Sequence, residues 1–295
     1  MLTYSRIDAQ CIKEIRPYFE HQSSRNCDYT MGVVYMWRDY FHTEYALSDN
    51  MLFLKMRDVC GIVFHLLPIG IGNITDALQK IAPEGNGLLR FSAVTEDQLP
   101  LLTQVYGQPL EIIDERRWAD YLYDRDSLAT YSGKKLAGQR NHVNRFMKEH
   151  GSFLYTPITP ENADEAEAFL QLHMLSQGKD DPTAQAEYGY TIDTLHHLRD
   201  LHYTGALLKL PDGSPVGMCL GETLHDTLYV HAEKALRSVN GAGQLLCREY
   251  AAHADETVKY INREDDMGDE GLRYAKMQLH PSIILKKHTV VFRIQ

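Results

Sequence analysis

Long apolar runs are missing from this chain: nothing in its 295 residues approaches the roughly 18–20 consecutive apolar positions that a membrane-spanning helix needs. Its first ten residues, MLTYSRIDAQ, lack a basic flank followed by an apolar segment, so no secretion signal is expected. Cysteine is scarce. The five (Cys11, Cys27, Cys60, Cys219 and Cys247) are odd in number, widely spaced and never arranged as Cys-x-x-Cys, which is how reduced thiols occur in a cytoplasmic protein. Metal-ligand spacing is also missing. His196, His197 and His202 lie close in sequence without a His-Glu-x-x-His pattern, and no metal site is expected. Nor is there an excess of positive charge. With 30 Lys and Arg against 40 Asp and Glu, the net charge of -10 excludes a general electrostatic hold on nucleic acid or anionic lipid.

What is present is enough apolar material for a sizeable core: 44% of residues are hydrophobic and 24% charged, which excludes a disordered chain. The length fits either one large α/β domain or two of ordinary size, and two are expected. In the first half, the spacing of Ile12 and Ile15 with Tyr18 or Phe19 predicts a helix, and residues 28–46 predict a buried helix carrying Trp37 into the core. MLFLKMR and GIVFHLLP, either side of residues 58–61, predict a β-hairpin. Asn73 or Thr75 is placed to cap a helix over 74–81, residues 88–94 read as a strand, and Thr95 to Gln98 has the form of a capping box. A further strand begins at Leu110, and the pattern then breaks between Tyr123 and Tyr131.

The domain boundary is expected at residues 132/133, where a basic helix follows in GKKLAGQRNHVNRFMKEH. Its Lys134, Lys135, Arg140, His142, Arg145 and Lys148 are the most anomalous local charge on an acidic chain, suited to a phosphate, a nucleic-acid backbone or an acidic neighbouring domain, or else to a solvated linker helix. After it come a short strand, two helices, and TGALLKL and VGMCLGE flanking a Pro-Asp-Gly turn, with a third strand over 227–231: an antiparallel meander. Gly241 and Gly243 then open a helix. Unpaired amides at a helix N-terminus suit a phosphate or a developing oxyanion, although close helix packing explains such glycines equally well. An apolar strand over 258–261 next runs into Arg263, Glu264, Asp265 and Asp266, a charged corner before a helix that Pro281 stops, and residues 283–294 read as a final strand. Such a corner is either a solvated turn or one wall of a strand-end cleft.

This order of strands and helices resembles the GNAT acyltransferase fold. GKKLAGQRNHVNRF, VHAEKAL and YINREDDMGDEGLRYAKMQLHP sharpen it: they resemble the bacterial family related to the C-terminal domain of phosphatidylglycerol lysyltransferases, akin to the Fem-type peptidyltransferases. The resemblance implies an α/β (α+β) chain of two tandem GNAT-like domains, each a mixed sheet flanked by helices, at residues 1–132 and 133–295, with the active site in the second. It also implies transfer of an acyl or aminoacyl group from acyl-CoA or a charged tRNA, as donor substrate, to an amine or hydroxyl of a small-molecule, peptide or lipid acceptor. Arg237 stands one residue off the usual first position of the glycine motif. In this frame Glu233 is the candidate base, and Glu264 and Asp265 share that role or bind an ammonium group. Arg263 and Lys276 hold phosphate, as do the Gly241 and Gly243 amides, and Lys135, Arg140 and Arg145 meet tRNA. The rival expectation is a non-catalytic module that keeps the fold and only binds a ligand.

Overall fold

The computed structural model describes residues 2–84, 87–177 and 182–294. In chain order its elements begin with β1 (Ser5–Arg6), α1 (Ile12–Phe19), α2 (Met31–Met36), β2 (Glu44–Ser48), β3 (Met51–Arg57), β4 (Val63–His65) and β5 (Ile69–Gly70). Then come α3 (Ile74–Ile81), β6 (Leu88–Val94), α4 (Leu99–Tyr106), β7 (Glu111–Asp114), β8 (Asp120–Asp124), α5 (Arg125–Thr130) and α6 (Ala137–His150). They are followed by β9 (Leu154–Pro157), α7 (Ala163–Gln177), α8 (Pro182–Leu195), α9 (Leu198–Leu201), β10 (Tyr203–Lys209), β11 (Pro215–Leu224) and β12 (Thr227–Ala235). The chain closes with α10 (Ala242–Ala252), β13 (Tyr260–Asn262), α11 (Glu270–Met277), β14 (Ile283–Leu285) and β15 (His288–Arg293). No helix among the described residues is long and apolar enough to cross a membrane.

Two compact units emerge: Met1–Asp120 with Asp265–Asp269 and Ile284–Gln295, and Tyr121–Glu264 with Glu270–Ile283. The expected cut at 132/133 assigns the whole C-terminus to the second domain, whereas here the last strand belongs to the first unit. The reason is pairing: β15 is hydrogen-bonded between β6 and β7.

The first unit's sheet has the order β1-β2-β3-β4-β6-β15-β7, with β5 on β3. β2 and β3 form a hairpin across Asp49 and Asn50, both at positive φ, the two-residue turn that short polar residues tolerate. β3 and β4 form the hairpin expected across residues 58–61. α3 starts as expected, with Asn73 Oδ1 accepting from the Thr75 and Asp76 amides at 2.9 and 3.2 Å. The capping box at Thr95 is also formed. Residues 28–46 differ from expectation. They make a short helix, a turn and a strand, and Trp37 is only half-buried, because aromatic residues spaced along one helical face serve a turn equally well.

The second unit's sheet has the order β14-β8-β13-β12-β11-β10-β9. The expected break at residues 123–131 is β8 and α5 instead: Tyr121, Tyr123, Leu128 and Tyr131 all enter one core with Val143, Phe146, Leu245 and Tyr250. The meander β10-β11-β12 and the glycine-led α10 form as the sequence indicates. The single final strand expected over 283–294 is two strands, β14 and β15, in different sheets.

Candidate functional site

β12 and β13 run parallel, pairing Thr227 with Tyr260, Leu228 with Ile261 and Tyr229 with Asn262. β13 then ends while β12 continues to Ala235, which leaves the last part of β12 without that neighbour. On the other side β12 stays paired with β11, with one irregularity. Leu220 faces Ala232 and Gly221 faces Val230, so His231 is the extra residue of a β-bulge. Bulges redirect a side chain, and this one needs Gly221, since a Cβ there would lie 2.0 Å from the Tyr229 carbonyl oxygen.

The redirected His231 is buried between two carboxylates. Its Nδ1 lies 2.7 Å from Glu264 Oε1 and its Nε2 3.1 Å from Glu222 Oε1, while the Tyr203 ring stacks on it at 5.1 Å. Burial alone lowers its pKa, but the hydrogen bonds and charges of Glu222 and Glu264 outweigh burial and push it up to about 9. The ring is therefore an imidazolium at neutral pH, and both nitrogens donate. Glu222 is buried, whereas the Glu264 side chain keeps 19% of its surface exposed. Glu264 itself sits at φ 56°, a costly conformation for a side-chain-bearing residue, held by its amide donating to the buried Asn262 Oδ1 at 2.7 Å.

Glu233, the candidate base, is committed elsewhere. Arg263 Nη2 donates to its Oε1 at 2.7 Å, with both side chains largely buried. Burial works against the guanidinium charge, and Glu233 more than restores it, so Arg263 is held above the ordinary arginine range. Lys276 is buried as well, its ammonium donating to the Arg263 carbonyl at 2.6 Å, and Tyr123 donates to the Lys276 carbonyl at 2.9 Å. Arg263 and Lys276, expected to hold phosphate, thus tie the corner to the sheet. Asp265 falls in the other unit from Glu264, where it lies with Cys27 and Asp120.

The glycine corner has a packing role. Gly241 sits at φ +80°, and a Cβ on it would lie 2.2 Å from the His142 carbonyl oxygen, so the α6 backbone requires glycine there. Gly243 has ordinary room, its nearest neighbour being Ala235. Gly241→Ala is expected to cost about 2–4 kcal/mol, from left-handed strain plus overpacking, read as a lower denaturant midpoint at unchanged slope. Of the basic residues, Arg140 donates to the Tyr131 and Gly133 carbonyls, and Arg145 pairs with Glu149 at 2.8 Å. Lys134, Lys135, Arg145 and Lys148 are exposed.

The sequence reading missed His231 and Glu222, although His231 stands in the quoted stretch VHAEKAL; a histidine inside an apolar strand was the available signal. It also missed a second cluster, in the first unit. There Lys287 Nζ lies 2.5 Å from Asp28 Oδ2 and 2.6 Å from Asp120 Oδ1 and donates to Cys27 Sγ at 3.3 Å. Atoms of Cys27, Asp120 and Asp265 lie within 4.8 Å of one another, a spacing that can hold a cation, and the Lys287 ammonium is the cation placed on two of them.

Comparison with known proteins fits this architecture. A protein of Mycoplasmoides gallisepticum is 26% identical over 186 residues, 61% of this chain and 58% of that protein, so the match spans less than two thirds of the relative's length. The crystal structure of a conserved protein of unknown function from Bacteroides thetaiotaomicron superposes with a TM-score of 0.89 at 29% identity, covering 99% of this chain and 100% of that one. The structure of L-PGS from Bacillus licheniformis shares the fold, with a TM-score of 0.65 at 15% identity over 96% of this chain and 92% of that one. The chain accordingly shares with these structures a mixed α/β fold built on two sheets. The family model described as phosphatidylglycerol lysyltransferase, C-terminal, matches residues 19–291, and the chain belongs to that family.

Proposed function

We propose that this protein transfers an aminoacyl group from a charged tRNA to an amine or hydroxyl acceptor, with Glu264 as the group that handles the acceptor's proton. The observation that carries this reading is the Glu222–His231–Glu264 chain at the open end of β12. In the transfer, the acceptor nitrogen or oxygen bonds to the ester carbonyl carbon and the bond to the ribose oxygen breaks. The acceptor proton passes to Glu264 and then to the leaving ribose hydroxyl. His231 and Glu222 are positioning residues: the imidazolium fixes Glu264 Oε1 and leaves the exposed part of the carboxylate facing outward.

A tRNA donor is favoured over acyl-CoA by one feature. Lys134, Lys135, Arg145 and Lys148, all exposed, concentrate positive charge over residues 134–148 of an acidic chain. Removal of one phosphate-binding charge should flatten the salt dependence of log K by about 0.7–0.9, so changing the four residues to Gln is expected to lower tRNA affinity at least tenfold and flatten the slope by about 3. Fluorescence anisotropy with labelled tRNA measures both. The reading itself is tested by incubating the protein with tRNA carrying a radiolabelled aminoacyl group and with vesicles or small amines as acceptors. Label moving to an acceptor supports it. Transfer from acyl-CoA alone, or tRNA binding without any transfer, overturns it in favour of ordinary acyl-CoA chemistry or a binding module.

A further inference from the structure

The proposed transfer makes no use of the cluster at Cys27. Its thiol and the Lys287 ammonium are both buried, 3.3 Å apart, and they come from positions 260 apart in sequence. Asp120, fully buried, serves both. Its Oδ1 lies 2.6 Å from the Lys287 nitrogen and accepts from the Cys27 thiol at 3.2 Å, while its Oδ2 accepts from the Cys27 amide at 2.8 Å. Asp28 holds the ammonium from another side. A thiol and an amine nitrogen thus face each other at contact distance, with a carboxylate oxygen bonded to each.

We propose that Cys27 and Lys287 are joined, in the presence of dioxygen, by a reversible nitrogen–oxygen–sulfur bridge, a redox modification of the first unit. The ammonium first gives a proton to Asp120, freeing the nitrogen lone pair. The neutral amine, the thiol and dioxygen then give the bridge and one water: an N–H and an S–H bond break, N–O and O–S bonds form, one oxygen atom bridges and the other leaves with both hydrogens. Nitrogen and sulfur each lose two electrons, and dioxygen gains four. Thiol reductants return the thiol and the amine. The pairing explains why these groups meet at contact distance, and it sets buried Cys27, with an amine on its sulfur, apart from Cys60, which is exposed. The bridge would covalently close a loop running through almost the whole chain while removing the cation that neutralises Asp28, with Asp120 keeping the proton it took.

The test is peptide mapping of the full-length protein held in air, compared with protein kept anaerobic with reductant. The expected result is a gain of about 14 Da, one oxygen added and two hydrogens removed, on a tryptic species linking the Cys27 and Lys287 peptides. It should vanish with dithiothreitol. Cys60 serves as the internal control that oxidation occurred. Cys60 oxidised with the Cys27 and Lys287 peptides unlinked overturns the proposal. So does a gain of about 16 Da on Cys27 alone, marking a sulfenic acid, or a linked species lighter by about 2 Da, marking a direct S–N bond. Cys27→Ser should abolish the linked species, and because the decisive map is of the native chain, a misfolded variant does not spare the proposal.

Discussion

Lys287→Met is expected to destabilise the first unit by about 3–5 kcal/mol, the cost of breaking a buried ion pair by removing one partner. The Lys287 side chain is 2% exposed, and its ammonium lies on Asp120, whose side chain is fully buried, and on Asp28. Burial opposes its charge, but Asp120 and then Asp28 outweigh burial and hold Lys287 well above the ordinary lysine range. The sign follows: a group raised in the folded state contributes stability that is complete below its unfolded pKa and is lost only as pH rises through the folded one. For Lys287 that loss lies in strong alkali, so the native contribution is level across neutral pH. In the variant an orphaned buried carboxylate sheds its charge by taking a proton, so the deficit should be smaller at pH 5 than at pH 8. Replacing Asp120 by Leu in the same chain should recover part of the loss, because partners in one network do not add. Urea melts at the two pH values measure this. A cost below about 1 kcal/mol at pH 8 would show the pair to be energetically idle, as exposed pairs usually are.

That cluster also shows where sequence reading stops. Local chemistry is legible: Asn73 caps α3 because a short amide side chain reaches two amides within one turn, and the Pro-Asp-Gly turn makes β10 and β11 a hairpin. Meander followed by glycine-led helix was enough to indicate the fold of the second unit. Nothing local says that the last strand joins the first unit, since β15 pairs with β6 some 200 residues earlier, and a strand carries no mark of its partner. Lys287, Cys27 and Asp120 meet only because of that return. The site was half legible for a related reason. Glu233, Arg263 and Glu264 were singled out as charges at strand ends, and they do lie there, but which carboxylate meets which cation depends on a one-residue bulge. The extra residue at His231 gives Glu264 an imidazolium partner, and Glu233 takes Arg263. Gly241 was read for its amides, and its reason for being glycine is the α6 backbone lying against it.

The same difference between the two glutamates yields the largest functional effect. Glu264→Gln is expected to lower transfer by about 10²–10⁴-fold, the usual contribution of a positioned proton acceptor, while the fold survives because the Gln oxygen can still accept from His231 Nδ1. Glu233→Gln should behave oppositely. It leaves the buried Arg263 without its counter-charge, costing about 3–5 kcal/mol, while turnover per folded molecule stays within a few-fold of native. His231 supplies an independent readout. Its pKa is raised in the folded state to about 9, so its contribution to stability is complete below the ordinary histidine pKa of about 6.5 and is lost as pH rises through about 9. Native protein should therefore lose this contribution progressively between about pH 6.5 and about 9, and Glu264→Gln, with one carboxylate fewer beside the ring, should have less to lose and complete the loss at lower pH. Turnover and urea melts on the two variants, each across pH 6–10, separate chemistry from scaffold. Native-like turnover in Glu264→Gln would sink its role as proton acceptor, and a collapse of turnover in well-folded Glu233→Gln would return that role to Glu233.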